Sequence, residues 1–346
     1  MSKLQIGLAI AGVLLLAALV LHGVWTARRH QPRLADPEPE GRVATHPAAG
    51  PVDPVLDAVP AAGGLMLPPA ADRKPLLDPL IDVLATIELE HPVSGEAVLQ
   101  HMPATRRVGS KPYGIEGLHQ ADGQWEPPQP GHRYSALQAG VQLANRAGAL
   151  NEIEYSEFVV KTQALADALG GTPEFPDMLD AVARGRELDA FASEHDAQLS
   201  VTLRARQTAW SAGYVQQHAA RVGFVAGVLP GRMVLPATQA GQSPILGLQY
   251  DPQAALAADP SMTAIRDVML SLDVAQVPRS EQPYVRLREA VKHLAEVMDG
   301  QITDDNGQPL SSDAMDLIGS ELETLYDKLD ARELSAGSVL ARRLFS

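Results

Sequence analysis

LDVAQVPRSEQPYVRLREAVKHLAEVMDG, residues 272–300, is the stretch on which the fold turns. It begins as the end of an alternating strand, crosses a proline-bearing loop and becomes an amphipathic helix that stops at Gly300. A glycine just past the last periodic apolar residue is a helix stop signal. The same order of features occurs upstream in QLANRAGALNEIEYSEFVVKTQALADALGG, residues 142–171, where Gly170 and Gly171 close the helix. The two helices agree in their apolar face as well as in their place, and a further helix follows each.

Working outward, residues 85–102 (ATIELEHPVSGEAVLQHM) parallel residues 200–219 (SVTLRARQTAWSAGYVQQHA), strand into helix, with Ala85 set against Ser200. Ser94 stands where an N-cap is expected, since its hydroxyl can accept from a backbone N–H of the first turn. Alternation of apolar and polar residues predicts further strands over 113–118, 134–144, 233–236, 245–250, 265–274 and 301–304. Helical spacing predicts helices over 175–195, 211–222 and 313–329. The reading is two divergent copies of one α/β module, residues 76–196 and 197–334, with a tail over 335–346. That tail, SAGSVLARRLFS, is expected to pack back on the second module through Leu344 and Phe345.

The N-terminal quarter has a different composition. After a tip of residues 1–3, residues 4–27 (LQIGLAIAGVLLLAALVLHGVWTA) carry no formal charge. As a helix this run is about 36 Å long, enough to cross a hydrocarbon core of roughly 30 Å. Arg28, Arg29 and Arg33 follow it and Lys3 precedes it, which by the positive-inside rule puts the C-terminal domains in the cytoplasm and the N-terminus in the periplasm. Gly7 and Ala11 offer a small-xxx-small pair for weak homodimerisation of that helix. Residues 28–75 form a Pro-rich linker, with ten prolines and no Ile, Phe, Tyr or Trp over 31–75. Such a composition cannot bury enough apolar surface to offset its ordering entropy, and disorder is expected there.

Composition excludes several chemistries. There is no cysteine, so disulfides, iron–sulfur clusters and thiolate zinc sites are ruled out. A net charge of −14 argues against nucleic acid as a partner. The strongest acidic block, residues 289–333, reads as a solvated face. His91, His101, His119 and His132 are scattered without metal-ligand spacing and read as structural, so neither metal nor cofactor is expected. Asp304-Asp305-Asn306-Gly307 has only an echo of a calcium loop and reads as a tight turn. No P-loop, nucleophile elbow, zinc-protease helix or dinucleotide fingerprint occurs, so the chain reads as a binding protein and not an enzyme.

A single anchor ending in LHGVWTARR, a Pro-rich spacer and a closing helix–strand–helix over 287–318 together resemble the ZipA family of bacterial cell-division proteins. The resemblance implies an α+β fold of ZipA-like modules, each an antiparallel sheet covered by helices on one face. It implies a single-pass inner-membrane protein that tethers the tubulin-like division protein FtsZ at the septum. It further implies that the uncovered sheet face of the second module takes the C-terminal peptide of FtsZ. On that face the alternation places Thr202, Arg204 and Arg206 of one strand beside Met269 and Ser271 of another. Ser271 stands where the family sets a large aromatic residue, and Gln138, Gly140 and Gln142 take the outward positions of the first module. A second reading is a membrane-anchored binding or regulatory module for another division or envelope factor.

Overall fold

The computed structural model describes residues 33–34 and 77–346, apart from 240, 258 and 260–262. The span over 4–27 and nearly all of the linker lie outside the described residues, among which no helix is long and apolar enough to cross a membrane. The described chain divides into two compact units: residues up to 194, and residues from 195 onward together with Arg33 and Leu34.

The first unit runs β1 (Asp82–Ser94), α1 (Gly95–His101), β2 (Arg107–Val108), β3 (Lys111–His119), β4 (Trp125–Glu126) and β5 (Arg133–Gln142). A small ribbon of β6 (Ala144–Asn145) and β7 (Gly148–Ala149) then leads to α2 (Glu152–Leu169), β8 (Gly171–Glu174) and α3 (Met178–His195). Its sheet is antiparallel in the order β2-β3-β5-β1-β8, with β4 added on β3. Alternation decides which side is covered. Val83, Ala85 and Ile87 of β1 and Leu137, Ala139 and Val141 of β5 are buried with Phe158 and Leu165 of α2.

The second unit runs β9 (Gln198–Ala205), α4 (Ala212–Arg221), β10 (Val225–Ala226), β11 (Arg232–Leu235), β12 (Leu246–Gln249), α5 (Pro252–Leu256) and β13 (Asp267–Asp273). It closes with α6 (Pro283–Met298), β14 (Gly300–Thr303), α7 (Ser312–Ala331) and α8 (Val339–Leu344). Its antiparallel order is β10-β11-β12-β13-β9-β14. Leu203, Leu270, Leu272 and Leu248 on the sheet are buried with Leu287, Val291 and Leu294 of α6.

Both sheets therefore share one order: a meander, then the first strand, then the last strand. They share punctuation as well. Ser94 caps α1 by accepting from the N–H of Ala97, and Ser211 caps α4 by accepting from that of Tyr214. The helix α2 ends in left-handed Gly170 (φ 66°), and α6 ends in left-handed Asp299 (φ 55°). The glycine that follows each opens the last strand. A Cβ on Gly171 would lie 2.8 Å from Ile87 Cγ2, and one on Gly300 only 2.4 Å from Leu203 Cδ1.

These contacts make Ile87 equivalent to Leu203, and so Leu84 equivalent to Ser200. The pairing of Ala85 with Ser200 expected from sequence is thus one residue out, since Ala85 faces the helices and Ser200 the other side. The strand β8 also corrects the sequence reading, which ran from the Gly170-Gly171 stop directly into a helix at 175. Within the stretch read as disordered linker, Arg33 forms a bridge with Trp210. The acidic block is the solvated face expected of it: Glu323, Asp327 and Asp316 are exposed, and Arg279 and Arg288 pair with them at the surface, Arg279 with Asp327 at 2.9 Å and Arg288 with Asp316 at 2.6 Å.

Candidate functional site

On β9, Val201 and Leu203 are buried against the helices, which leaves Ser200, Thr202 and Arg204 on the opposite face. On β13, Val268, Leu270 and Leu272 are buried, which leaves Met269 and Ser271. The register then assembles rows across the sheet. Gly247 of β12 pairs with Ser271, and Ser271 with Ser200. In the next row Gln249 pairs with Met269, and Met269 with Thr202.

The structure therefore brings four of the five expected residues together: Thr202, Arg204, Met269 and Ser271. Arg206 falls just beyond β9, where its N–H donates to the carbonyl of Asp299 at 3.2 Å. Once the strand has ended, the period of two no longer fixes the direction of a side chain.

The row Gly247–Ser271–Ser200 carries no bulky side chain across three strands. Gly247 has to be small, since a Cβ there would lie 2.7 Å from the hydroxyl of Ser271. Met269 and Gln249 stand beside it in the next row, with Gln249 Nε2 3.9 Å from Met269 Sδ. At the β14 side the 304–307 turn folds over β9, and Ser200 Oγ donates to Asp305. That turn is held by Asp304, whose carboxylate accepts from the N–H groups of Asn306 (2.9 Å) and Gln308 (2.7 Å). Arg204 Nε donates to Asp267 Oδ1 at 2.8 Å across the strand pair. The hydrogen bond to Asp267, with its charge, raises the pKa of the Arg204 guanidinium. At half exposure on both sides, this pair is one that an incoming carboxylate can join or replace.

The same face of the first sheet is already occupied. Its equivalent row is Leu84–Gly140–Gly114, and the incoming chain lays Leu77 over it. A Cβ on Gly140 would come within 2.6 Å of Leu77 Cδ2, and one on Gly114 within 3.0 Å. The N–H of Leu77 donates to Glu116 Oε1 at 3.2 Å, and Gln138 Nε2 donates to the other carboxylate oxygen at 2.7 Å. Leu77 and Glu116 are both buried. Gln138, Gly140 and Gln142 lie on this face, as their alternation predicts.

Sequence reading missed Leu77, Glu116, Gly114 and Gly247. The available signal was a glycine inside a strand pattern, which often marks close approach of another chain. No protein-family model matches the chain, and no curated protein does.

Proposed function

We propose that the chain is a non-enzymatic, membrane-anchored tether. Residues 4–27 would hold it in the bacterial inner membrane with its domains in the cytoplasm, and the second sheet would bind an extended peptide of a division partner. The observation that carries this reading is the contrast between two equivalent faces. In the first unit a leucine of the incoming chain sits on a glycine floor, with its backbone N–H bound by a buried carboxylate. In the second unit the equivalent row is floored by small residues beside Met269 and Arg204; the 304–307 turn lies at its Ser200 end, and no counterpart of Leu77 lies over Ser271 and Gly247 among the contacts of the described residues.

The partner chemistry follows from Met269 and Arg204. Met269 offers an apolar, adaptable contact. Arg204 offers a charge to an acidic residue, so an acidic–apolar peptide fits. The C-terminal peptide of FtsZ, implied by the family resemblance, has the role of such a partner. A polar floor at Ser271 favours a second reading as well: a different division or envelope factor with a smaller side chain at the contact. Pull-down of FtsZ with the full chain in detergent, with and without the C-terminal peptide of FtsZ, separates the two. Capture that depends on the peptide supports FtsZ, and capture of neither form directs the search to another partner.

A further inference from the structure

Three side chains of the first unit that peptide binding leaves unused converge at one end of its sheet. His119 ends β3, Glu126 ends β4, and His132 stands one residue before β5. Because β3 pairs with both β4 and β5, three adjacent backbones deliver these groups to one place. One potential ligand atom from each lies within 4.8 Å of the other two. The two imidazoles stack with centroids 4.5 Å apart and planes at 23°. His132 Nδ1 is hydrogen-bonded to Glu126 Oε1, and Glu126 is 4% exposed although it belongs to a surface hairpin.

A second layer of groups orients the three. The hydroxyl of Tyr134 donates to Glu126 Oε1 at 3.0 Å and accepts from the N–H of Gln129 at 2.8 Å. The ring of Tyr134 lies where Gly117 has no side chain; a Cβ there would be 2.3 Å from it. Asp122 Oδ1 is 2.9 Å from His119 Nδ1 and also accepts from the N–H of Gln124 at 3.1 Å. A carboxylate on one imidazole nitrogen fixes the ring and leaves the other nitrogen to act as ligand, which is the usual outer shell of a metal-bound histidine.

We propose that His119, Glu126 and His132 form a divalent transition-metal site, with Zn²⁺ or an ion of similar preference as its ligand. Two imidazoles and one carboxylate suit such borderline ions, whereas Mg²⁺ and Ca²⁺ seek oxygen alone. At bonds of roughly 2.0–2.2 Å, tetrahedral ligand atoms stand about 3.3 Å apart. His132 and Glu126, already in hydrogen-bond contact, part slightly, and the more distant ligand atoms close by at most about 1.5 Å. The ion then replaces the proton shared between His132 and Glu126. Three protein ligands leave a fourth position for water or for a group from a partner.

The test is titration of the full chain, purified in mild detergent and stripped with chelator, with Zn²⁺ by calorimetry and with Co²⁺ by visible absorption. The expected result is one ion per chain and a strong Co²⁺ ligand-field band that Zn²⁺ abolishes. His119→Ala, Glu126→Gln and His132→Ala should each weaken Zn²⁺ binding at least tenfold. His101→Ala, in the exposed last turn of α1, should leave binding unchanged. Absence of saturable uptake and of the Co²⁺ band in the unmutated chain overturns the site, whatever the variants do to folding. Uptake that His132→Ala leaves unchanged also overturns it.

Discussion

Gly171 and Gly300 show at the scale of one residue how each sheet closes. Each lets the last strand lie against an apolar side chain of the first strand, Ile87 or Leu203, at a distance that no Cβ tolerates. Replacing either by Ala should cost about 1–3 kcal/mol through overpacking, read as a lower melting temperature of the full chain. Equal melting of wild type and both variants would show that the strands can shift freely, against the packing described. At Asp299 the second unit keeps a left-handed residue that is not glycine. Its carboxylate accepts from Arg33 Nη2 at 3.0 Å, a bond that glycine would lose. On the candidate face the deciding residue is Ser271. An aspartate there would be held beneath a bound peptide without a partner, which is costly, so Ser271→Asp should weaken peptide binding.

At the scale of elements, helices and their stops were the legible part of the sequence. The Gly170-Gly171 and Asp299-Gly300 ends align in sequence as they do in the structure, because a helix terminus is marked by local chemistry. Strands were located but set one residue out, Ala85 against Ser200. A period of two carries no local mark of register, and a slip of one residue exchanges the faces. The metal candidate was illegible for a related reason: His119, Glu126 and His132 meet only because β3, β4 and β5 pair. The tail expected to fold back does so through α8. Leu344 and Phe345 are buried, and Gln276 Nε2 donates to the carbonyl of Phe345 at 2.7 Å. Burial of the two side chains is worth about 3–5 kcal/mol before entropy. Deleting residues 335–346 should therefore lower the melting temperature. Peptide affinity should stay unchanged, since the tail contacts Ala275, Gln276 and Pro278. Tighter peptide binding after the deletion would instead place the tail over the candidate face.

At the scale of the whole molecule, Arg33 changes how the linker acts. It exchanges backbone hydrogen bonds with Ala209 and Ser211, and its side chain donates to the carbonyl of Met298 at 3.1 Å as well as to Asp299. If residues 4–27 span the membrane, the six residues to Arg33 reach at most about 20 Å. The second unit is then held near the bilayer. Arg33→Ala should loosen this attachment, seen as faster amide exchange at Trp210 and Ser211; unchanged exchange would count against it. Protease added to intact spheroplasts should leave residues 76–346 whole, and digestion from outside would reverse the proposed topology. The central claim, that the second sheet takes an acidic–apolar peptide on its open face, is tested most directly by titrating fluorescent FtsZ C-terminal peptide into the full chain and its Ser271→Asp variant. Saturable binding by wild type, weakened at least tenfold in the variant, is the predicted result; equal affinity of the two, or binding by neither, would contradict it.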